Sequence, residues 1–241
     1  MQTAILLKLQ QEILQLQGYK PAVTPQRTCM NLGTIEAAFP YKIFPIGAIH
    51  EFSSTTPEDA AATHGFITAL LGKLLQTQDK CIWIGRDQHL YPPGLTQFGI
   101  NPSQIIFIES KKPADILWTI EEALKCDTLK AVVGLTDTLS FTKSRRLQLA
   151  VEQSGVTGFI HRTNATAATT IACAARWRIK PAPSINIDNL PGVGFTHWNV
   201  SLLKVRNGKP GNWPLQWINK DFYMPVEQAR AIATYQQLQT G

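Results

Sequence analysis

No eighteen consecutive apolar residues occur in this 241-residue chain, so no segment reads as a membrane span. The opening MQTAILLKLQQEILQLQ carries Gln and Lys among its apolar residues, and no small-residue cleavage site follows. It does not read as a secretory signal. Cysteine is scarce: Cys29, Cys81, Cys126 and Cys173 stand far apart with no Cys-x-x-Cys pair. That spacing fits reduced core thiols of a cytoplasmic protein better than a disulfide framework or a zinc site. The five histidines have no metal-ligand spacing and there is no Gly-x-Ser-x-Gly elbow, so neither a metal nor a cofactor is expected. Charged residues make up only 17% of the chain and hydrophobic ones 44%, enough for a substantial core. The net charge of +6 and pI near 9.2 permit a nucleic-acid partner without requiring one.

What is present is an alternation of short apolar runs and amphipathic stretches. The run at 81–85 reads as a buried strand and those at 105–109, 131–135 and 156–160 as further strands, with helices opening at Pro113 and Ser140. Such alternation implies a parallel sheet covered on both faces. After about residue 168 the pattern changes. Two strand-like stretches follow without a helix, and Asn207-Gly208 reads as the turn of an antiparallel C-terminal hairpin. The fold class expected is therefore α/β, mostly parallel, with an antiparallel end. Ahead of it, Leu6, Leu9, Ile13 and Leu16 share one face of a helix. Residues 18–40 read as a linker, giving an N-terminal helix and linker over 1–40 and a domain over 41–241. That helix either packs on its own domain or docks on a partner.

The chain is organised around 43–75, a strand, a loop of small hydroxyl residues and a long helix, where an α/β nucleotide-binding protein keeps its phosphate loop. The loop here is Ser53, Ser54, Thr55, Thr56, Pro57, Glu58 and Asp59, and no Lys or Gly-Lys pair occurs between Phe52 and Phe66. Thr56 instead reads as an N-cap, with Pro57 in the first helical position and Asp59 three residues after the cap. Glu58 and Asp59 place negative charge where a phosphate would bind, and would repel a nucleotide triphosphate.

Taken in order, PIGAIHEF, CIWIGRDQHLYPPGL, SRRLQLAVEQSGVTGF, AARWRI and LLKVRNGKPGNW resemble the RecA-like core. They resemble more closely the RecA-related accessory proteins of bacterial error-prone repair, the ImuA family. The resemblance runs over 45–217, most of the chain. It implies a RecA-like domain with a degenerate nucleotide site. At the place of the Mg²⁺-binding aspartate stands Gly134. Asp137 falls past the strand, and Asp87 lies where a catalytic acid would fall. No enzyme activity is expected.

The resemblance further implies a scaffold in error-prone translesion synthesis, in the cytoplasm at damaged DNA. Its partners would be a Y-family polymerase-like subunit and a replicative-type polymerase, with DNA or a RecA filament as further candidates. Two alternatives stay open: an SOS-induced cell-division inhibitor of related degenerate fold, and a DNA-dependent ATPase of recombinase type. For DNA the candidate residues are Lys143, Arg145, Arg146, Arg162, Arg176, Arg178 and Lys180, against the alternative of a solvated sheet edge. Arg176 and Arg178, two apart on a strand, share one face and Trp177 takes the other. Lys204, Arg206 and Lys209 match RecA-filament residues that reach a neighbour's nucleotide, or else solvate a hairpin tip. The amphipathic face of Leu6, Leu9, Ile13 and Leu16 is the candidate partner surface.

Overall fold

The computed structural model describes residues 30–86, 90–163, 171–185 and 194–225. Among the described residues nine strands form one sheet: β1 (Ile49–Ser54), β2 (Cys81–Gly85), β3 (Ile105–Glu109), β4 (Ala131–Thr136), β5 (Thr157–Thr163), β6 (Ala175–Ile185), β7 (Phe195–Val205), β8 (Gly211–Ile218) and β9 (Asp221–Tyr223). Their spatial order is β3-β2-β4-β5-β1-β6-β7-β8-β9. Every pairing from β3 across to β6 is parallel, and those joining β6, β7, β8 and β9 are antiparallel. The architecture is the α/β class expected, with an antiparallel end that is a four-stranded meander rather than one hairpin.

Among the described residues three α-helices cover the sheet: α1 (Pro57–Leu74), α2 (Pro113–Lys125) and α3 (Phe141–Ser154). Both ends of α3 have a local cause. Ser140 caps α3 by accepting from the Lys143 N–H at 3.3 Å, and Gly155 ends it in the left-handed region at φ 77°. In α2 the buried Ile116, Leu117, Ile120, Ala123 and Leu124 recur at helical spacing and face the sheet.

Strand alternation divides the core between two faces. On one, under α1, Phe52, Phe66, Phe159, Trp177 and Trp198 pack together, with Phe52 stacked on Trp177 at 6.0 Å between ring centroids. On the other, under α2 and α3, lie Ile49, Ile84, Ile120, Val132, Leu147 and Ile160. No helix among the described residues is long and apolar enough to cross a membrane.

Several expectations are corrected. The stretch read as the end of a linker belongs to the core from residue 30 onward: Met30, Leu32, Ile35, Ala38 and Phe39 are buried, the last three on or beside the 3-10 turn Gly33–Ala38. Pro and Gly signalled a break in regular structure there, which a tightly packed turn supplies as well as a linker does. Strand β6 starts seven residues later than expected and continues through Pro181 and Pro183. Both prolines lie beyond Trp177, the last residue paired with β1, where that edge of the strand has no described neighbour to bond. The thiols are not all in the core, because Cys126 is exposed. Cys81 is buried, and burial raises its pKa above the ordinary thiol value. Leu6, Leu9, Ile13 and Leu16, expected on one helix, and Asp87 lie outside the described residues.

The turn at Asn207-Gly208 joins β7 to β8, with Asn207 at φ 58°. Its tip docks on the 3-10 turn: the Lys209 N–H donates to the Ala38 carbonyl at 2.8 Å. A Cβ on Gly208 would stand 2.2 Å from that same carbonyl oxygen, so only glycine permits the approach.

Candidate functional site

The C-terminal end of β1 passes through Thr55 and Thr56 into α1, the place of a phosphate loop. Thr56 has extended backbone and its hydroxyl accepts from the Asp59 N–H at 3.2 Å, with Pro57 opening the helix. The Asp59 carboxylate in turn accepts from the hydroxyl of Thr55, the residue before the cap, at 3.2 Å. Glu58 is exposed. Hydrogen bonds from its own backbone N–H and from the Thr56 hydroxyl hold its carboxyl below the usual range. The N–H groups of this helix start are thus turned to residues of the chain itself. Thr56→Ala is expected to cost about 0.5–2 kcal/mol of stability, read from urea midpoints.

Directly beneath, three side chains form a chain of polar contacts on the α1 side. Ser54 Oγ lies 2.7 Å from His161 Nε2, and His161 Nδ1 lies 3.0 Å from His64 Nε2 of α1. His161 is fully buried. Burial, and then the neighbouring His64, lower its pKa to about 3. Nearby, His50 accepts from the Trp177 indole N–H through Nδ1 at 3.3 Å, which leaves Nε2–H to donate to the Pro45 carbonyl at 2.6 Å. Burial lowers its pKa to about 4.

Gly134 does not stand at the end of β4. The strand runs on to Thr136, and Gly134 is level with Ile160, inside the sheet and under α2. A Cβ there would lie 2.4 Å from Ile120 Cδ1, so packing with α2 requires the glycine. The residue that follows the strand is Asp137, whose carboxylate accepts from the Thr163 hydroxyl at the end of β5.

The basic candidates separate into four groups. Arg162 is buried, and its Nη1 donates to Glu51 at 2.8 Å. Arg176, only 17% exposed, donates from Nε to the other oxygen of the same carboxylate. These two arginines are therefore turned inward to one buried carboxylate rather than presented as an outer basic surface; the reason is that Glu51, 1% exposed on the central strand, needs countercharge. On α3, Arg146 pairs with Glu121 at 2.8 Å, Arg145 reaches Glu152 only at 3.9 Å, and Lys143 is exposed. Arg178 and Lys180 follow Arg176 on the same face of β6, and Lys204 of β7 stands opposite Arg176 in register. Arg206 and Lys209 are exposed on the β7–β8 tip. By the strand registers, that tip lies at the opposite end of β1 from Ser54.

Sequence reasoning missed the Arg162–Glu51–Arg176 triad and the Ser54–His161–His64 chain. A signal was present for the first: a glutamate inside IHEFSS and an arginine inside TGFIHRT, both runs buried along nearly their whole length. An ionised group on a buried central strand calls for an opposite charge on the neighbouring one. Among the described residues no group of three or more His, Cys, Asp or Glu is placed to hold a metal ion.

No protein-family model matches the chain. Two curated proteins do, both named Protein ImuA and both from Caulobacter vibrioides, strains NA1000 and CB 15. Each is 32% identical over 195 residues, covering 76% of this chain and 80% of the relative. With the degenerate loop and the sheet already in place, that identity over that length has one consequence: the chain belongs to the ImuA family.

Proposed function

We propose that this protein is a non-catalytic scaffold of bacterial DNA damage tolerance, acting in error-prone translesion synthesis. The observation that carries the reading is the start of α1. Thr56 caps it, and Glu58 and Asp59 occupy with carboxylates the end at which a nucleotide's phosphates would be held. Gly134 under Ile120 supports it, since the residue at the place of the Mg²⁺-binding aspartate has no carboxylate. Family membership supports the setting. The partners of this reading are a Y-family polymerase-like subunit and a replicative-type polymerase, with a RecA filament as a further candidate, in the cytoplasm at damaged DNA. The contact surface proposed for them is the apolar helix face of Leu6, Leu9, Ile13 and Leu16.

Co-expression of the full chain with a Y-family polymerase-like subunit from the same organism tests the assembly. Stable co-purification is expected, with loss on replacing Leu9 and Ile13 by Asp. Failure to co-purify, together with binding to a tubulin-like division protein, would replace this reading by that of a cell-division inhibitor.

A further inference from the structure

The antiparallel end of the sheet has one covered face and one open face. Trp177, Trp198, Val200, Leu202, Leu215 and Phe222 all point into the core under α1. The alternate residues point the other way, and no described helix covers them beyond the seam at β6. Cross-strand register orders that open face into rows: Arg176 with Lys204, then Arg178 with Ser201 and Asn212, then Lys180 with Asn199 and Pro214. The next row is Ala182, His197, Gln216 and Tyr223, in which Gln216 is buried and Tyr223 exposed, and Phe195 lies two residues beyond His197 on β7. Rows two residues apart are spaced by about 6.6–6.8 Å and neighbouring strands by about 4.8 Å.

Three features of this face converge. Glu51 consumes the charge of Arg176, but Arg178, Lys180 and Lys204 have no carboxylate partner among the described residues. The Nε of Arg178 is buried without any hydrogen-bond partner. At the other end of the rows, Phe195 and Tyr223 are each 39% exposed, large aromatic side chains beside the basic and amide residues. Between the two ends Asn199 and Asn212 offer amides to solvent.

The geometry points to a cradle for single-stranded nucleic acid on the open face of β6–β9. Arg178, Lys180 and Lys204 take backbone phosphates, Asn199 reaches a base edge, and Phe195 and Tyr223 stack on unpaired bases. A flat sheet has no helix or ribbon to enter a duplex groove, whereas an unpaired strand lies on it with its bases free for the aromatics. An acidic peptide would satisfy the cations but not the exposed rings. This assignment does not depend on the absence of nucleotide binding, so either can fail alone.

Fluorescence anisotropy of the full chain with fluorescein-labelled dT25, from 50 to 200 mM NaCl, tests the assignment. Arg178→Gln, Lys180→Gln and Lys204→Gln together are expected to weaken binding at least tenfold. The slope of log K against log salt should flatten by about 2, from roughly 0.7 per lost phosphate contact. Phe195→Ser with Tyr223→Ser should weaken binding roughly fivefold and leave the salt slope unchanged, because stacking releases no counterions. Lys143→Gln with Arg145→Gln on α3 should change neither. An rU25 arm identifies the source: equal affinity assigns the shared backbone chemistry, and a preference names DNA or RNA. Variants are compared only where their melting matches the parent, and the two aromatic sites provide a second, uncharged test. No binding of dT25 by the parent, an unchanged slope in the charge variant, or equally tight binding of a 25-base-pair duplex would overturn the assignment.

Discussion

Glu51→Ala is expected to lower the unfolding free energy by about 3–5 kcal/mol, the range found when one partner of a buried ion pair is removed. Glu51 sits on the central strand with 1% of its side chain exposed, and its two oxygens accept from Arg162 and Arg176 on the strands to either side. The Arg162 side chain is only 5% exposed and its Nε already lacks a partner. Removing the carboxylate leaves that guanidinium charged, buried and uncompensated. The pairing also joins β5, β1 and β6, the seam at which the sheet passes from its parallel half to its antiparallel half. Converting all three residues to Met should recover much of the loss, since a well-packed apolar replacement avoids desolvating any charge. Urea unfolding of the single and triple variants separates the two cases. A single variant as stable as the parent would show that the triad carries no such weight.

Acidification gives the second large effect. Burial lowers the pKa of His50 from 6.5 to about 4 and that of His161 from 6.5 to about 3. Between pH 6.5 and those values the unfolded chain binds protons that the folded chain refuses. Stability is therefore complete above pH 6.5 and is lost as pH falls from 6.5 through about 4 and about 3. At pH 5 each imidazole costs about 2 kcal/mol relative to pH 7.5. The geometry gives the same sign. A proton added at His50 Nδ1 would face the Trp177 N–H, and one added to His161 would remove the lone pair that receives Ser54 or His64. Urea midpoints at pH 7.5 and 5 should differ accordingly. His50→Gln should flatten the dependence by about one proton.

The elements most legible in the sequence are those fixed by local chemistry. The runs CIWIG and IIFIE become β2 and β3 with the bounds read from them, because short apolar runs rich in β-branched residues favour strands; β2 is buried, whereas β3 lies at the sheet edge with Ile106 exposed. The cap at Thr56 and the start of α3 at Ser140 are likewise local events. What could not be read there is set by distance. Residues 30–40 are core because Phe39 and Phe44 meet Trp177, more than 130 positions away in sequence, with ring centroids 5.8 and 6.3 Å apart. Gly134 could be aligned with a metal-binding position but not seen to lie under Ile120. Arg162, Arg176 and Arg178 read alike as surface cations, and only register separates the two bound to Glu51 from the one that is not.

The central claim is that the start of α1 is closed to phosphate by the chain's own residues. Isothermal titration of the purified full chain with ATP and Mg²⁺ tests it most directly. The account predicts no heat of binding at ATP concentrations up to the millimolar range, and micromolar affinity would contradict it.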